Sequence, residues 1–186
     1  MTATRAVPPT KRRRWRAFFA DRRGATAVEF ALVAAPFIAL LVATIQTFLV
    51  FFAQQLLETS VNESSRQILT GQAQAQSMTQ GQFAKVVCSN LPILFNCNGL
   101  MIDVKVAASW STANTGLPNL TFDSKGNVTN AWQFNPGSPG DIVIVRVMYQ
   151  WPVFLGPLGF TLANLANGNR LIMSSTAFMN EAYVNS

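Results

Sequence analysis

The chain has 186 residues, with 14 Lys and Arg against 8 Asp and Glu, no His, and 49% apolar side chains, room for one domain of ordinary size plus an accessory segment. The missing imidazole removes the common catalytic triads and most metal sites, and no glycine-rich loop leads from a strand into a helix in phosphate-binding form. The net charge of +6 is segregated: eight basic side chains against Asp21 leave residues 1–24 at +7, while six basic against seven acidic side chains leave residues 25–186 at −1.

Residues 1–24 contain Pro8, Pro9 and the run KRRRWR, and read as a flexible basic arm. Alone, that run suits nucleic-acid phosphates. Its place before an apolar span is instead that of a cytoplasmic flank under the positive-inside rule, so the reading is membrane orientation and no nucleic acid. Phe30 to Leu57 then hold 28 residues without a charge. As a helix such a run extends about 42 Å, against about 30 Å of bilayer hydrocarbon. A cleavable secretory signal also has a basic front, but its apolar centre is only about 7–15 residues long. The segment is read as a retained anchor with its N-terminus in the cytoplasm.

The helix should start near Ala25 and bend at Pro36, where a backbone hydrogen bond is lost; membrane helices tolerate such a proline. Beyond Phe52 the pattern turns amphipathic. Leu57, Val61 and Ile68 fall near one face, with Glu58, Asn62, Glu63 and Arg66 around the others, and Gly71 is the first plausible stop. One helix over 25–70 would cross the membrane and project from it.

Past Gly71 the sequence reads as strands and loops. In 101–109, Ile102, Val104, Val106 and Ala108 alternate with Asp103, Lys105 and Ser109, a strand pattern. Residues 111–140 form a long polar connection with a hairpin around SKGN (124–127). Residues 141–151 place Val143, Val145, Val147, Tyr149 and Trp151 on one face, and a last strand covers 171–178. Strands in succession predict an antiparallel sheet seated on the helix. The expected fold is α+β: a long N-terminal membrane-spanning helix continuing into a small antiparallel-sheet periplasmic domain, divided as 1–24, 25–70 and 71–186.

Cys88 and Cys97 are the two cysteines, and this topology sets them in the oxidising compartment. With no His and no further Cys to complete a metal site, the expectation is a disulfide, worth about 2.5–3 kcal/mol for a ten-residue loop. Glu58, Glu63, Asp103, Asp123, Asp141 and Glu181 are scattered singly, as solvated charges. No self-contained enzyme, cofactor or metal site is expected. Phe48, Phe51, Phe52, Trp110, Trp132 and Trp151 read as interface or core aromatics.

GATAVEF, residues 24–30, resembles the processing site of the Flp-type pilins of the tight-adherence (Tad) branch of type IV pili. Those precursors have a basic leader ending in Gly, four residues, then Glu and Tyr or Phe. The major pilins are barely longer than the helix; the additional hundred residues make this chain similar to the TadE-like pseudopilins. The resemblance runs through VEFALVAAPF, SSRQILTGQAQ, the cysteine pair, GSPGDIVIVRVMYQWP and STAFMNEAY. Where the family often ends in Arg-Asn-Glu-Pro-aromatic, this chain has Met179, Asn180, Glu181, Ala182 and Tyr183. The resemblance implies a minor pilin, a structural subunit cleaved between Gly24 and Ala25 by a membrane aspartic prepilin peptidase. It implies as partners the major Flp-type pilin, other minor pilins, the pilus assembly platform of the inner membrane and the lipid bilayer, with a role in adhesion or secretion. Location would be a single pass through the bacterial inner membrane, the C-terminal domain periplasmic or carried to the cell surface.

Glu29, with Phe30, is the expected assembly residue. Cleavage gives Ala25 a positive α-amino group, and positions i and i+4 of a helix lie about 6 Å apart on one face. The carboxylate in the first turn is also favoured by the helix dipole, and can be neutralised by its own amine or a neighbouring subunit's. The plain alternative is a Glu facing lipid headgroups. At the level of function, the alternative is a solitary membrane-anchored periplasmic binding domain that never joins a filament.

Overall fold

A computed structural model describes residues 24–91, 94–154, 156 and 159–182. The expected basic leader up to Arg23, and Tyr183 of the closing motif, lie outside the described residues. Three helices, α1 (Ala25–Leu69), α2 (Gln72–Ala75) and α3 (Gln80–Ser89), precede three strands, β1 (Leu100–Ala107), β2 (Ile142–Pro152) and β3 (Asn169–Met179). The chain divides after Val42 into two units. The described part of the first is the beginning of α1, which is unbroken across Pro36 and exposes Val28, Phe30, Leu32, Val33, Phe37 and Ile38.

In the second unit, α1 acquires a buried stripe. Val50, Ala53, Leu57, Val61 and Ile68 are covered, together with Ser60 and Ser64, a three-to-four-residue spacing that keeps one helix face inward. That face meets one side of the sheet, from which Ile102, Val104, Val143, Val145, Val147, Tyr149 and Ile172 enter the same core. Each such side chain contributes about 1.5–3 kcal/mol when fully buried. The stripe starts before Phe52, earlier than the sequence pattern indicates, because Val50 and Ala53 are covered by the sheet domain although no polar residue marks them.

The sheet is antiparallel in the order β1-β2-β3, with Val104 opposite Val145 and Val145 opposite Thr176. β2 is central and buried on both faces from Val143 to Met148. The second face is closed by the polar connection after β1. Arg146 donates from Nη2 to Asn114 O, Ser175 Oγ donates to Thr115 O at 2.7 Å, and Gln133 N donates to Asp103 Oδ1 at 3.2 Å. Val104 N also donates to Gln133 O at 2.8 Å, so residues 133–135 lie along the outer edge of β1. The hairpin expected at SKGN forms, with Phe122 bridged to Val128. Hydrogen bonds from Asn127, its side chain foremost, hold the Asp123 carboxyl below its ordinary pKa.

Helix α3 corrects the reading of 71–186 as strands and loops alone. Its N-terminus is a reciprocal cap: the Thr79 side chain accepts from Gln82 N, and Gln82 Oε1 accepts from Thr79 N at 2.7 Å, the Thr-x-x-Gln form of the capping box. Phe83 and Val87 then turn into the core. Ser60 Oγ donates to Val87 O at 2.7 Å, and the small serine side chains let α1 and α3 approach closely.

Asp103 is the largest departure from expectation. It reads as a solvated charge on the outer side of β1, but it is 1% exposed and its carboxylate lies 3.1 Å from Arg146 and 3.2 Å from Lys105. Register explains the pair: Asp103 stands directly opposite Arg146, and the loop over the second sheet face removes both from water.

Candidate processing and assembly site

The residues expected at a processing site lie at the head of α1. Gly24 is exposed, one residue ahead of the helix that begins at Ala25. A Cβ built on Gly24 meets nothing within 4 Å, so the fold places no steric demand on glycine there. Glu29 is exposed and Phe30 is 75% exposed. The first helical turn contains no acid; Glu29 falls just after it, which corrects the expected placement. The dipole effect fades beyond the first turn, so the helix end does little for this carboxylate.

Around this single acid the surface is apolar. The helix Thr26–Leu69 is long and apolar enough to cross a membrane, and its most apolar window has no buried residue. Such a surface requires lipid or neighbouring helices to cover it. Among the described residues, no group of three potential metal ligands occurs.

The cysteines lie in the second unit. Cys88, near the end of α3, is bonded to Cys97, with their Cα atoms 5.7 Å apart. The loop they close carries Phe95 into an aromatic cluster, its ring centroid 5.1 Å from Tyr149 and 5.4 Å from Trp151. Asn96 N donates to the Tyr149 hydroxyl at 3.2 Å. Gly99 is needed behind that ring, because a Cβ there would come within 2.9 Å of Tyr149. In protein recovered from the cell envelope, alkylation without reductant is expected to label neither thiol, and Cys88→Ser should lower stability by about 2.5–3 kcal/mol. Labelling of both thiols in quenched samples would contradict the bond.

A second polar site, which sequence reasoning missed, ties the end of the chain to the end of α1. Gly71, at φ 77°, stops the helix in the left-handed conformation, as glycine permits. Glu181 N donates to Leu69 O at 2.9 Å, and Asn180 N donates to Asp141 O at 2.9 Å. The buried Asn180 side chain donates to Pro136 O and Ser138 O at 2.9 and 3.1 Å, and Gln74 Nε2 reaches Pro136 O at 2.8 Å. Asn180 and Glu181 of the closing motif therefore act as a clasp on the helix end. The only sequence signal was the motif itself.

Residues 24–66 match the family of TadE-like proteins. The match begins at Gly24 and ends within the last turn of α1, and it supports an association with the Tad pilus system. No curated protein matches the chain, and no solved structure does.

Proposed function

We propose, from the TadE-like segment at 24–66, that the chain is a minor pilin: a non-catalytic subunit that primes or stabilises a Tad-type pilus after removal of its leader. The observation that carries this reading is the conjunction at the head of α1. An exposed glycine precedes the helix, a single exposed acid follows five positions on, and an uncovered apolar surface surrounds it. A lone carboxylate on such a surface is costly to bury in lipid; a neighbouring subunit's α-amino group offsets that cost as helices come together side by side. The prepilin peptidase acts on the Gly24–Ala25 bond, and the major Flp-type pilin, other minor pilins and the inner-membrane assembly platform are the partners. The sheet domain would lie in the periplasm, and the arginine-rich arm in the cytoplasm, consistent with the positive-inside rule.

Glu29→Gln tests the role of the carboxylate. The variant should insert and be cleaved as wild type does, because Gln keeps the shape of Glu and α1 does not depend on its charge. Filament assembly and cross-linking to the major pilin should fall sharply. Normal pili from the Gln variant, at wild-type protein levels, would reduce Glu29 to a residue facing headgroups. A wild-type protein that stays uncleaved and cross-links only to itself would support a solitary anchored domain instead.

A further inference from the structure

The face that α3 turns away from the core carries small side chains. Phe83 and Val87 point inward, while Gly81, Ala84, Lys85 and Cys88 recur at the three- to four-residue spacing of the opposite face. With Cys97 they line an open cavity of about 450 Å³, the size of a small-ligand site. A Cβ at Gly81 meets nothing within 4 Å, so no packing requires glycine there, and glycine is a poor helix former. Its missing side chain leaves room beside the disulfide. Cys97 is exposed and Cys88 half-buried. Lys85 is exposed and, among the described residues, has no acidic partner.

The fold on either side of the bond is held independently of it. α3 is fixed by its Thr79–Gln82 cap and by Ser60 Oγ, which donates to Val87 O at 2.7 Å. On the other side, Phe95 is 6% exposed within the aromatic cluster, and Asn96 N donates to the Tyr149 hydroxyl at 3.2 Å. Neither cysteine is among the core residues. Opening the bond therefore leaves both anchors in place and the two sulfurs as neighbours. Exchange at this site needs no unfolding.

Access governs which sulfur of a disulfide a thiolate attacks, and a neighbouring cation favours the thiolate form. We propose that Cys97 is a thiol-exchange site for a small anionic thiol of the peptide class, admitted by the cavity and drawn by Lys85. The incoming thiolate attacks Cys97 Sγ. A new S–S bond forms as the Cys97–Cys88 bond breaks, and the electron pair leaves on Cys88 Sγ, which takes a proton from water. The incoming sulfur is oxidised and Cys88 is reduced, so no further oxidant is required. Lys85 precedes Cys88 by three positions on one helix. That spacing offsets the unfavourable end of the helix dipole for the departing thiolate. Cys88 stays beside Cys97 and expels the thiol again, so the closed bond is the state when free thiol is absent. The inference uses the sheet unit alone and is independent of the membrane and pilus readings.

Reduced glutathione and cysteamine, one anionic and one cationic, test this on the full chain in detergent without oxygen. After quenching with N-ethylmaleimide, peptide mass maps should show glutathione on Cys97 and maleimide on Cys88, while circular dichroism stays native. Lys85→Glu should slow glutathione by about fivefold at low ionic strength, the scale of one exposed ion pair, and leave cysteamine as fast or faster. Gly81→Leu, an exposed change that favours the helix, should remove most of the rate with both thiols. Glutathione found mainly on Cys88, or exchange that begins only where denaturant unfolds the domain, overturns the inference. So does a wild-type glutathione rate in either variant. Reduced thioredoxin that opens the bond at a rate untouched by both substitutions, where glutathione fails, would make the bond a substrate for protein dithiols and overturn the small-thiol site as well.

Discussion

Replacing Gly24 by aspartate is expected to leave residues 1–24 on the protein in envelope fractions where the wild type begins ATAVEF. The effect should be close to all-or-none. A peptidase must hold the chain extended at the bond it cuts; glycine offers no side chain to obstruct it and little helix propensity to resist unwinding. The structure makes the variant a clean test. A Cβ at Gly24 meets nothing within 4 Å and the residue is exposed, so loss of cleavage would reflect recognition by the peptidase and not damage to the fold. In the wild type, removal of the leader would take the net charge of this sequence from +6 to −1. Intact mass and N-terminal sequencing, with and without an active prepilin peptidase, read both outcomes. A wild-type protein that retains its first 24 residues beside a working peptidase would falsify processing and favour the solitary anchored domain.

The second large effect belongs to the buried ion pair. Asp103→Ala should destabilise the sheet domain by about 3–5 kcal/mol, the cost of stranding an uncompensated buried charge, or on the order of 10 °C in Tm. Arg146 is 7% exposed; without Asp103 its guanidinium keeps Asn114 O but loses its anion, while its Nε already lacks a partner. Lys105 adds less, since its side chain is 41% exposed and screened by water. The double variant Asp103→Leu with Arg146→Met should recover most of the loss, because apolar replacement of both partners removes desolvation along with attraction. Thermal unfolding of the full chain in detergent measures all three. An Asp103→Ala protein within about 1 kcal/mol of wild type would show that the pair behaves as a surface contact.

The two effects differ in how far they were legible from sequence. The signal at Gly24, Glu29 and Phe30 is linear, a spacing set before an apolar run, and folding adds only the exposure of its residues. The long elements were equally open to reading. The 3.6-residue stripe of Leu57, Val61 and Ile68 and the alternation along 143–151 each state a period directly, and α1 and the strands end within about two residues of the expected limits. Helix α3 was missed because its apolar residues, Phe83 and Val87, are too few to show a period; Thr79 and Gln82 were the available signal. The Asp103–Arg146 pair could not be read, since it joins residues 43 apart and depends on where the 111–140 connection lies. Alternation tells which face of a strand a residue occupies, but not whether a loop will cover that face.

The tie between Glu181 and Leu69 has a consequence for how the molecule is made. If the sheet domain crosses the membrane as proposed, with the N-terminal arm staying behind, the carbonyl of Leu69 clears it long before its partner: the two are 181 − 69 = 112 residues apart. β3 and the Asn180 clasp arrive equally late. Contacts this distant in sequence form slowly, so on that reading α1 would stand beside the translocation path with its last turn and inner face unfinished until nearly all of the domain had emerged. During that interval the exposed stripe is open to chaperones and to other subunits. Truncation ahead of Asn180 would extend the interval indefinitely, producing an anchored but unclosed domain.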